Sequence, residues 1–334
     1  MPTRLRAFGH HSPVIDQRNE AHAGRRFWDG LRAGVSRAVV GNEGPLRMLA
    51  VALLAEGHAL LDDVPGVGKT LLARAFSRSL GLQFSRVQGT PDLLPGDVTG
   101  SSIYEAGSFR FIPGPVFTNV LLVDEINRAT PRTQAALLEA MQERQVTAEG
   151  ATHKLPEPFM VVATENPIEL EGTFSLPEAE LDRFLVQVSL GYPDRDAELR
   201  IASRHLGRAE PLDDVPVVAD AAEILRLREQ VRTLTLSPDV VGYLVDLVRA
   251  TRDHADLRLG ASPRASVALH RASQAWAFLD GRSFVVPEDV AAVASPVLGH
   301  RLLLDLDRRL RGGSAAGVLA EVLKSVAIPM PERA

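Results

Sequence analysis

The sequence predicts an α/β fold in three layers, α/β/α, whose parallel sheet is followed by an all-α region. Three observations carry this. Short runs that are apolar throughout, such as 119–123 and 159–163, alternate with helical periods, as strands buried on both faces of a parallel sheet do. A Gly-rich turn, Asp62-Asp63-Val64-Pro65-Gly66-Val67-Gly68-Lys69-Thr70, joins one such strand to a helix. Past Asp194 helical periods dominate, and no strand-like run of comparable length interrupts them.

Composition narrows the classes. A chain of 334 residues has length for two domains, each with its own core. Its net charge of −5, from 37 basic and 42 acidic residues, gives no global attraction to nucleic acid or to an anionic membrane. The absence of cysteine excludes disulfides, thiolate metal sites and cysteine nucleophiles. The start, Met-Pro-Thr-Arg-Leu-Arg, has no apolar segment of a signal peptide, and the run 48–55 is far too short to span a bilayer. A cytoplasmic protein without a membrane span is the expectation.

In chain order, residues 1–25 lack an apolar period and read as a flexible tail. Phe27, Leu31 and Val35 recur every four residues, an amphipathic helix over 27–38. Val40 and Gly41 lie in the break that follows, and Pro45 opens a second helix to Leu54. Residues 58–61 form the strand that feeds the Gly-rich turn; His58 reads as a packed residue at the core's edge, since no metal-spaced partner is near. A second strand fits 82–88. Two alternating runs, 98–104 and 108–112, read as a hairpin. The strand 119–123 ends at Asp124-Glu125, and Thr130-Pro131 starts a helix with Ala135, Leu138 and Met141 on its buried stripe. Residues 145–147 and 151–155 form a second hairpin. The strand 159–163 leads to Asn166, the helix start 177–181 leads to Arg183, and the strand 185–190 closes the sheet. Helical periods at 197–205, 219–232, 238–254, 262–279, 287–294 and 317–326 build the last region.

The turn at 62–70 carries the first chemistry. Gly66 and Gly68 permit backbone conformations closed to residues with a Cβ, so successive N–H groups can turn toward phosphate oxygens. The helix that follows offers unpaired N–H groups and the positive end of its dipole to the same anion. Lys69 has the reach for the β- and γ-phosphates, and Thr70 has a hydroxyl for Mg²⁺. Val64, Pro65, Val67 and Leu71, with Val40 and Gly41, complete the positions assigned to the nucleotide, ATP. Where the pattern G-x-x-x-x-G-K-[ST] has its first glycine, this chain has Asp63. Its carboxylate would repel a triphosphate if it pointed inward, so it is expected to point away.

Asp124 and Glu125 end an apolar strand, where open α/β sheets place their ligand crevice. The aspartate suits Mg²⁺ opposite Thr70, and the glutamate suits polarising a water for attack on the γ-phosphate. Asn166 ends the next strand and can donate to that phosphate or hold the water. Arg183 lies near the last strand, too far from its own nucleotide. Arg264 opens a helix of the second region, from which it can swing onto the γ-phosphate. Arginine suits both places, because it is permanently charged and engages phosphate through two parallel bonds.

DVPGVGKT, LLVDEINRAT, MVVATENPIELEGTFSLPEAELDRF and GASPRA, in this order, resemble the MoxR group of AAA+ ATPases. GTPDLLPGDVTG, ERQVTAEG and PVLGHRL extend the resemblance over roughly residues 27–326. The resemblance implies a P-loop NTPase core over 26–193 and a helical lid over 194–334. It implies Walker A at Lys69 and Thr70, Walker B at Asp124 and Glu125, sensor 1 at Asn166, a trans-acting arginine finger at Arg183 and sensor 2 at Arg264. Residues 91–118 correspond to the helix-2 insert and 144–157 to the pre-sensor-1 hairpin. It further implies a homo-oligomeric, hexameric ring that remodels or matures protein clients, with a von Willebrand factor A domain protein as partner. Three alternatives stand beside it: a magnesium-chelatase-like subunit driving metal insertion, a nucleic-acid motor, and a non-hydrolysing nucleotide switch. The motor is disfavoured by inserts poor in basic residues, with Arg110 in the first and Arg144 and Lys154 in the second.

Overall fold

The computed structural model describes residues 14–105, 108–148, 150–166, 172–204 and 212–329. Helices α1 (Val14–Val35) and α2 (Glu43–Leu54) precede β1 (Ala59–Asp62), and α3 (Lys69–Ser79) follows it. Then come β2 (Phe84–Gln88), α4 (Pro95–Thr99) and the hairpin of β3 (Gly100–Glu105) with β4 (Ser108–Pro113). Strand β5 (Val120–Asp124) runs into a 3-10 turn, Ile126–Arg128, then α5 (Pro131–Glu143) and the hairpin of β6 (Gln145–Ala148) with β7 (Ala151–Lys154). The sheet is completed by β8 (Met160–Glu165), α6 (Glu178–Leu181) and β9 (Val186–Val188). The helical region holds α7 (Arg195–Arg204), α8 (Ala221–Thr233), α9 (Pro238–Arg252), α10 (Pro263–Leu279), α11 (Pro287–Leu298), α12 (Leu306–Leu310) and α13 (Ala315–Ser325). Between them sits a small ladder of β10 (Leu257–Leu259) and β11 (Leu303–Leu304), which the helical periods do not announce.

The central sheet is parallel throughout, in the order β2-β5-β8-β1-β9. Its strands show why they read as apolar throughout. Side chains alternate between faces, and both faces are covered. Leu61, Leu122 and Val162 join the cluster of α1, α2 and α3, while Leu60, Leu121, Val123 and Val161 join a second cluster with Leu137, Leu138 and Met141 of α5. The first cluster continues without a break into Leu227, Leu244, Leu269 and Val293 of the lid helices. The lid therefore shares its core with one face of the sheet instead of building a separate one. Helix α2 makes this possible, because eight of its residues are buried, on all sides.

Three sequence expectations are corrected. The flexible tail over 1–25 is too long: α1 begins at Val14, and residues 1–13 lie outside the described ones. Ala23, Phe27, Trp28, Leu31 and Val35 anchor the helix, and helix propagation adds one bond per residue once a turn is nucleated, so it runs back into a segment without an apolar stripe. On α5, Ala135 is exposed; the buried face is Thr133, Gln134, Leu137, Leu138, Ala140 and Met141. Gln134 is drawn inside because its amide donates to the carbonyls of Ile126 and Phe174, both at 3.0 Å. The ladder of β10 with β11 is the third, too short for any periodicity to reveal.

His58 is a packed core-edge residue. Its Nδ1 accepts from the Val161 amide at 2.9 Å, so Nε2 carries the proton and donates to Met141 O at 3.1 Å. Burial lowers its pKa to about 4 and keeps it neutral.

Candidate functional site at the strand ends

The C-terminal ends of β1, β5 and β8 lie side by side, with Asp62 opposite Glu165 and Val123 opposite Ala163. Between β1 and α3, residues 64–68 make a turn in which Gly66 (φ 86°) and Gly68 (φ 94°) take left-handed conformations. Nothing lies within 4 Å of a Cβ at either, so the backbone conformation and not crowding requires glycine. Lys69 folds over this turn, its Nζ donating to Asp63 O at 2.6 Å and Glu165 O at 3.2 Å. Burial lowers the pKa of Lys69, opposed by the carboxylates of Asp63, Asp124, Asp62 and Glu125 around it.

Asp63, the irregular letter, does not face the cradle. It is buried, and one carboxylate oxygen accepts from Leu190 N (2.6 Å), Gly191 N (2.7 Å) and Ser189 Oγ (3.1 Å), the other from Val64 N at 2.9 Å. A glycine at this position would leave two backbone donors and one hydroxyl after β9, partly exposed, without that acceptor. The carboxylate thus fastens the phosphate turn to the sheet's edge strand.

Asp124 sits 3.4 Å from the Thr70 hydroxyl through Oδ2, the distance at which one cation or its water could serve both. The same oxygen accepts from Arg86 Nε at 2.6 Å, and Oδ1 accepts from Thr164 Oγ1 at 3.4 Å. Glu125 adopts φ 55° and ψ 53°, a left-handed conformation uncommon for a side-chain-bearing residue and typical of functional sites under strain. Its N–H donates to Thr164 Oγ1 at 2.9 Å, and its carboxylate accepts from Gln88 (3.1 Å) and Arg128 (3.2 Å). A Cβ on Gly89 would stand 2.1 Å from Glu125 O, so this close approach needs glycine. Asn166 follows β8 directly and is buried beside this pair of strand ends.

Beside the phosphate turn lies a cleft of about 260 Å³ lined by Val40, Gly66, Val67, Gly68, Leu71 and Pro193, among others. Gly41 (φ 84°) makes the bend next to Val40. An apolar slot adjoining an N–H cradle suits a base attached to phosphates. The parts present fit a nucleoside triphosphate with a divalent cation: a helix N-terminus, glycines in left-handed conformation, a lysine hydrogen-bonded to two carbonyls among the described residues, and a hydroxyl facing a carboxylate.

Two predicted residues stand elsewhere. Arg183 precedes β9, and β9 starts level with the start of β1, since Val186 pairs with Ala59. The phosphate turn follows the other end of β1. At about 3.3 Å per residue, the length of the strand separates Arg183 from its own cradle. Its half-buried side chain has no ion-pair or hydrogen-bond partner among the described residues. Arg264 does not reach toward Lys69 either. It is exposed at the start of α10, bordering a cleft of about 940 Å³ with Glu178, Asp182 and Arg301. The cleft sets Arg264 beside the Arg183 segment, and its swing onto a γ-phosphate is taken up as a proposal below.

Sequence reasoning missed Arg86, Gln88, Arg128 and Thr164, which hold the acidic pair. Arg86 and Gln88 stand two apart on the edge strand β2 and so share one face of it, the face turned to the acidic pair.

A P-loop core of this strand order, with an acidic pair beside the loop and a helical lid, defines a AAA-type nucleotide-binding protein. The profile of the ATPase family associated with various cellular activities matches residues 58–186, and a AAA lid domain profile matches residues 249–316. The chain is 42% identical over 306 residues to the chaperone MoxR1 of Mycobacterium tuberculosis, covering 88% of this chain and 80% of that protein. It is 43% identical over 302 residues to YeaC of Bacillus subtilis, covering 90% of this chain and 94% of that one. A crystal structure from Cytophaga hutchinsonii superposes with a TM-score of 0.88 at 35% identity, covering 95% of this chain and 99% of its own. The chain belongs to the MoxR family of AAA+ ATPases. Among the described residues no helix is long and apolar enough to cross a membrane.

Proposed function

We propose that this protein hydrolyses ATP with Mg²⁺ in a homo-oligomeric ring, hexameric and cytoplasmic, and uses the cycle to remodel or mature protein clients. A core over 26–193 and a lid over 194–334 are its working parts. Residues 64–71, with Val40 and Gly41, bind the nucleotide, and Lys69 exchanges its two carbonyl partners for β- and γ-phosphate oxygens. Mg²⁺, held by Thr70 and Asp124, would neutralise charge developing on the transferred phosphoryl group. Glu125, once released by Gln88 and Arg128, polarises the attacking water, and Asn166 orients it.

The observation that carries the reading is the position of Arg183: a half-buried arginine at the end of the sheet away from its own phosphate turn, with no side-chain partner among the described residues. Such a side chain serves a neighbour's nucleotide, and Arg264, at the same cleft, joins it there. Protein clients are favoured over nucleic acid by the insert hairpin, where Tyr104 (69% exposed) and Phe109 (68% exposed) pair edge to face at the tip. Phe111 stacks on His153 of the second hairpin at 4.0 Å, so the two inserts form one surface. A von Willebrand factor A domain protein is the proposed partner. Asp63 gives no support to a dead switch, because its charge is consumed away from the cradle.

The test is turnover and its complementation. Arg183→Ala is expected to bind ATP normally and to lose hydrolysis by roughly 10³–10⁵-fold, the range known for arginine fingers. Glu125→Gln is expected to bind ATP and not to turn over. Mixing the two dead variants restores activity, since Glu125→Gln still supplies an intact Arg183 to its neighbour. Full activity of Arg183→Ala, or no recovery on mixing, would remove the ring mechanism.

A further inference from the structure

The lid grips the Arg183 segment chiefly through one buried side chain, that of Arg301. Arg301 ends the Gly299–Arg301 turn after α11, the helix that packs against β9. Its side chain is only 4% exposed. Nε donates to Asp182 Oδ1 at 2.7 Å. One terminal nitrogen donates to Phe184 O at 2.7 Å and Asp182 O at 3.2 Å, and the other to Leu185 O at 3.3 Å and to Val297 O of α11. A guanidinium has five N–H donors, and each has an acceptor here. His300 adds a donation from Nε2 to Phe184 O at 3.0 Å, its ring kept neutral by burial, which lowers its pKa to about 3.

The geometry of these acceptors is what points beyond stability. Three are main-chain carbonyls at 182, 184 and 185, on either side of Arg183, whose amide is also tied back to Glu180 O at 3.1 Å. The chain before and after Arg183 is thus fixed to the lid, while the Arg183 guanidinium itself is left unpartnered among the described residues. A rigid mount with a free end is how a group is aimed at something outside its own subunit. A lysine could not reproduce the mount, because its donors radiate from one atom and lack the planar fork.

We propose that Arg301 is a positioning residue that couples the lid of one subunit to hydrolysis in the next. The partner is a second copy of this chain. As the lid turns on its own nucleotide, Arg301 carries the carbonyls around Arg183 with it and moves the finger into or out of the neighbour's site. This rests on the reading of Arg183 as a trans-acting finger.

The experiment uses the full chain carrying Arg301→Lys, with Asp182→Asn as the milder variant that keeps all the carbonyl contacts. Nucleotide affinity, kcat and KM are measured for each, then again after equimolar mixing with Glu125→Gln. For Arg301→Lys the expected result is ATP affinity within about twofold of the parent and a kcat about tenfold lower or more, the signature of an interaction made in the transition state. Mixing with Glu125→Gln should restore turnover, because the damaged subunit still has its own base and receives a well-mounted finger. Asp182→Asn should lose about threefold in kcat with the same rescue, and it decides the question if Arg301→Lys does not fold. A merely structural arginine would give lost activity that mixing does not restore. Parent kcat in both variants, or unrescued loss while Arg183→Ala is rescued, overturns the coupling. If Arg183→Ala is itself not rescued, the finger reading fails first, and the coupling falls with it.

Discussion

The two ends of the sheet are built in opposite ways. At the phosphate turn, polar groups hold one another on partly exposed terms: Lys69 rests on carbonyls, Asp124 on the half-exposed Arg86, Glu125 on Gln88 and Arg128. At the Arg183 end, Arg301 is buried and all its donors are used at once. Hydrogen bonds exchanged with water or ligand contribute little net energy, whereas breaking a buried, charged one costs the full desolvation of what is left behind. One end is therefore free to trade partners with a ligand, and the other holds its shape while the ligand changes. Asp63 belongs to the second kind although it stands at the edge of the first.

The largest expected effect lies at the exchangeable end. Lys69→Ala removes a charged donor worth about 1.5–3 kcal/mol per hydrogen bond, so ATP affinity should fall by at least about tenfold while the melting temperature stays near the parent's. Direct nucleotide binding checks it, and unchanged affinity would mean that the turn is not the phosphate site. Asp63→Gly should do the reverse. It leaves Ser189, Leu190 and Gly191 without their acceptor, a loss of about 2–4 kcal/mol in unfolding free energy, with ATP affinity near the parent's. A tenfold gain in affinity, about 1.4 kcal/mol, would show instead that the carboxylate opposes the nucleotide.

The smallest effect is a pH dependence at the junction of the two kinds. Burial, then the charge of Asp62, raises the Glu165 carboxyl to about 7. A carboxyl raised on folding binds its proton more tightly in the folded state. Its contribution is full below the ordinary carboxylate range and is lost as pH rises through about 7. Glu165→Gln should therefore gain stability over the parent between mildly acidic and mildly alkaline pH, read as a widening difference in melting temperature. A constant difference across that window would show that Glu165 is ionised in the folded protein throughout.

Much of this protein was legible in its sequence, because the signals are local. Apolar strands, the glycines of the turn at 64–68 and the order of Lys69, Thr70, Asp124, Glu125 and Asn166 depend on neighbours in the chain and on a sheet that sets strand ends side by side. The tail was misjudged by the same logic: a helix once nucleated at Phe27 and Leu31 runs back past the residues that announce it. What tertiary structure decided are contacts between distant segments. No periodicity relates Asp63 to the amides after β9, Arg86 to Asp124, or Arg301 to Asp182. The five acceptors of Arg301 come from 182, 184, 185 and 297, brought together only when α11 lies on β9. Sequence specifies which groups are charged and which are apolar; burial, which the packed fold alone creates, determines which of those charges must be paired and which is left free to act.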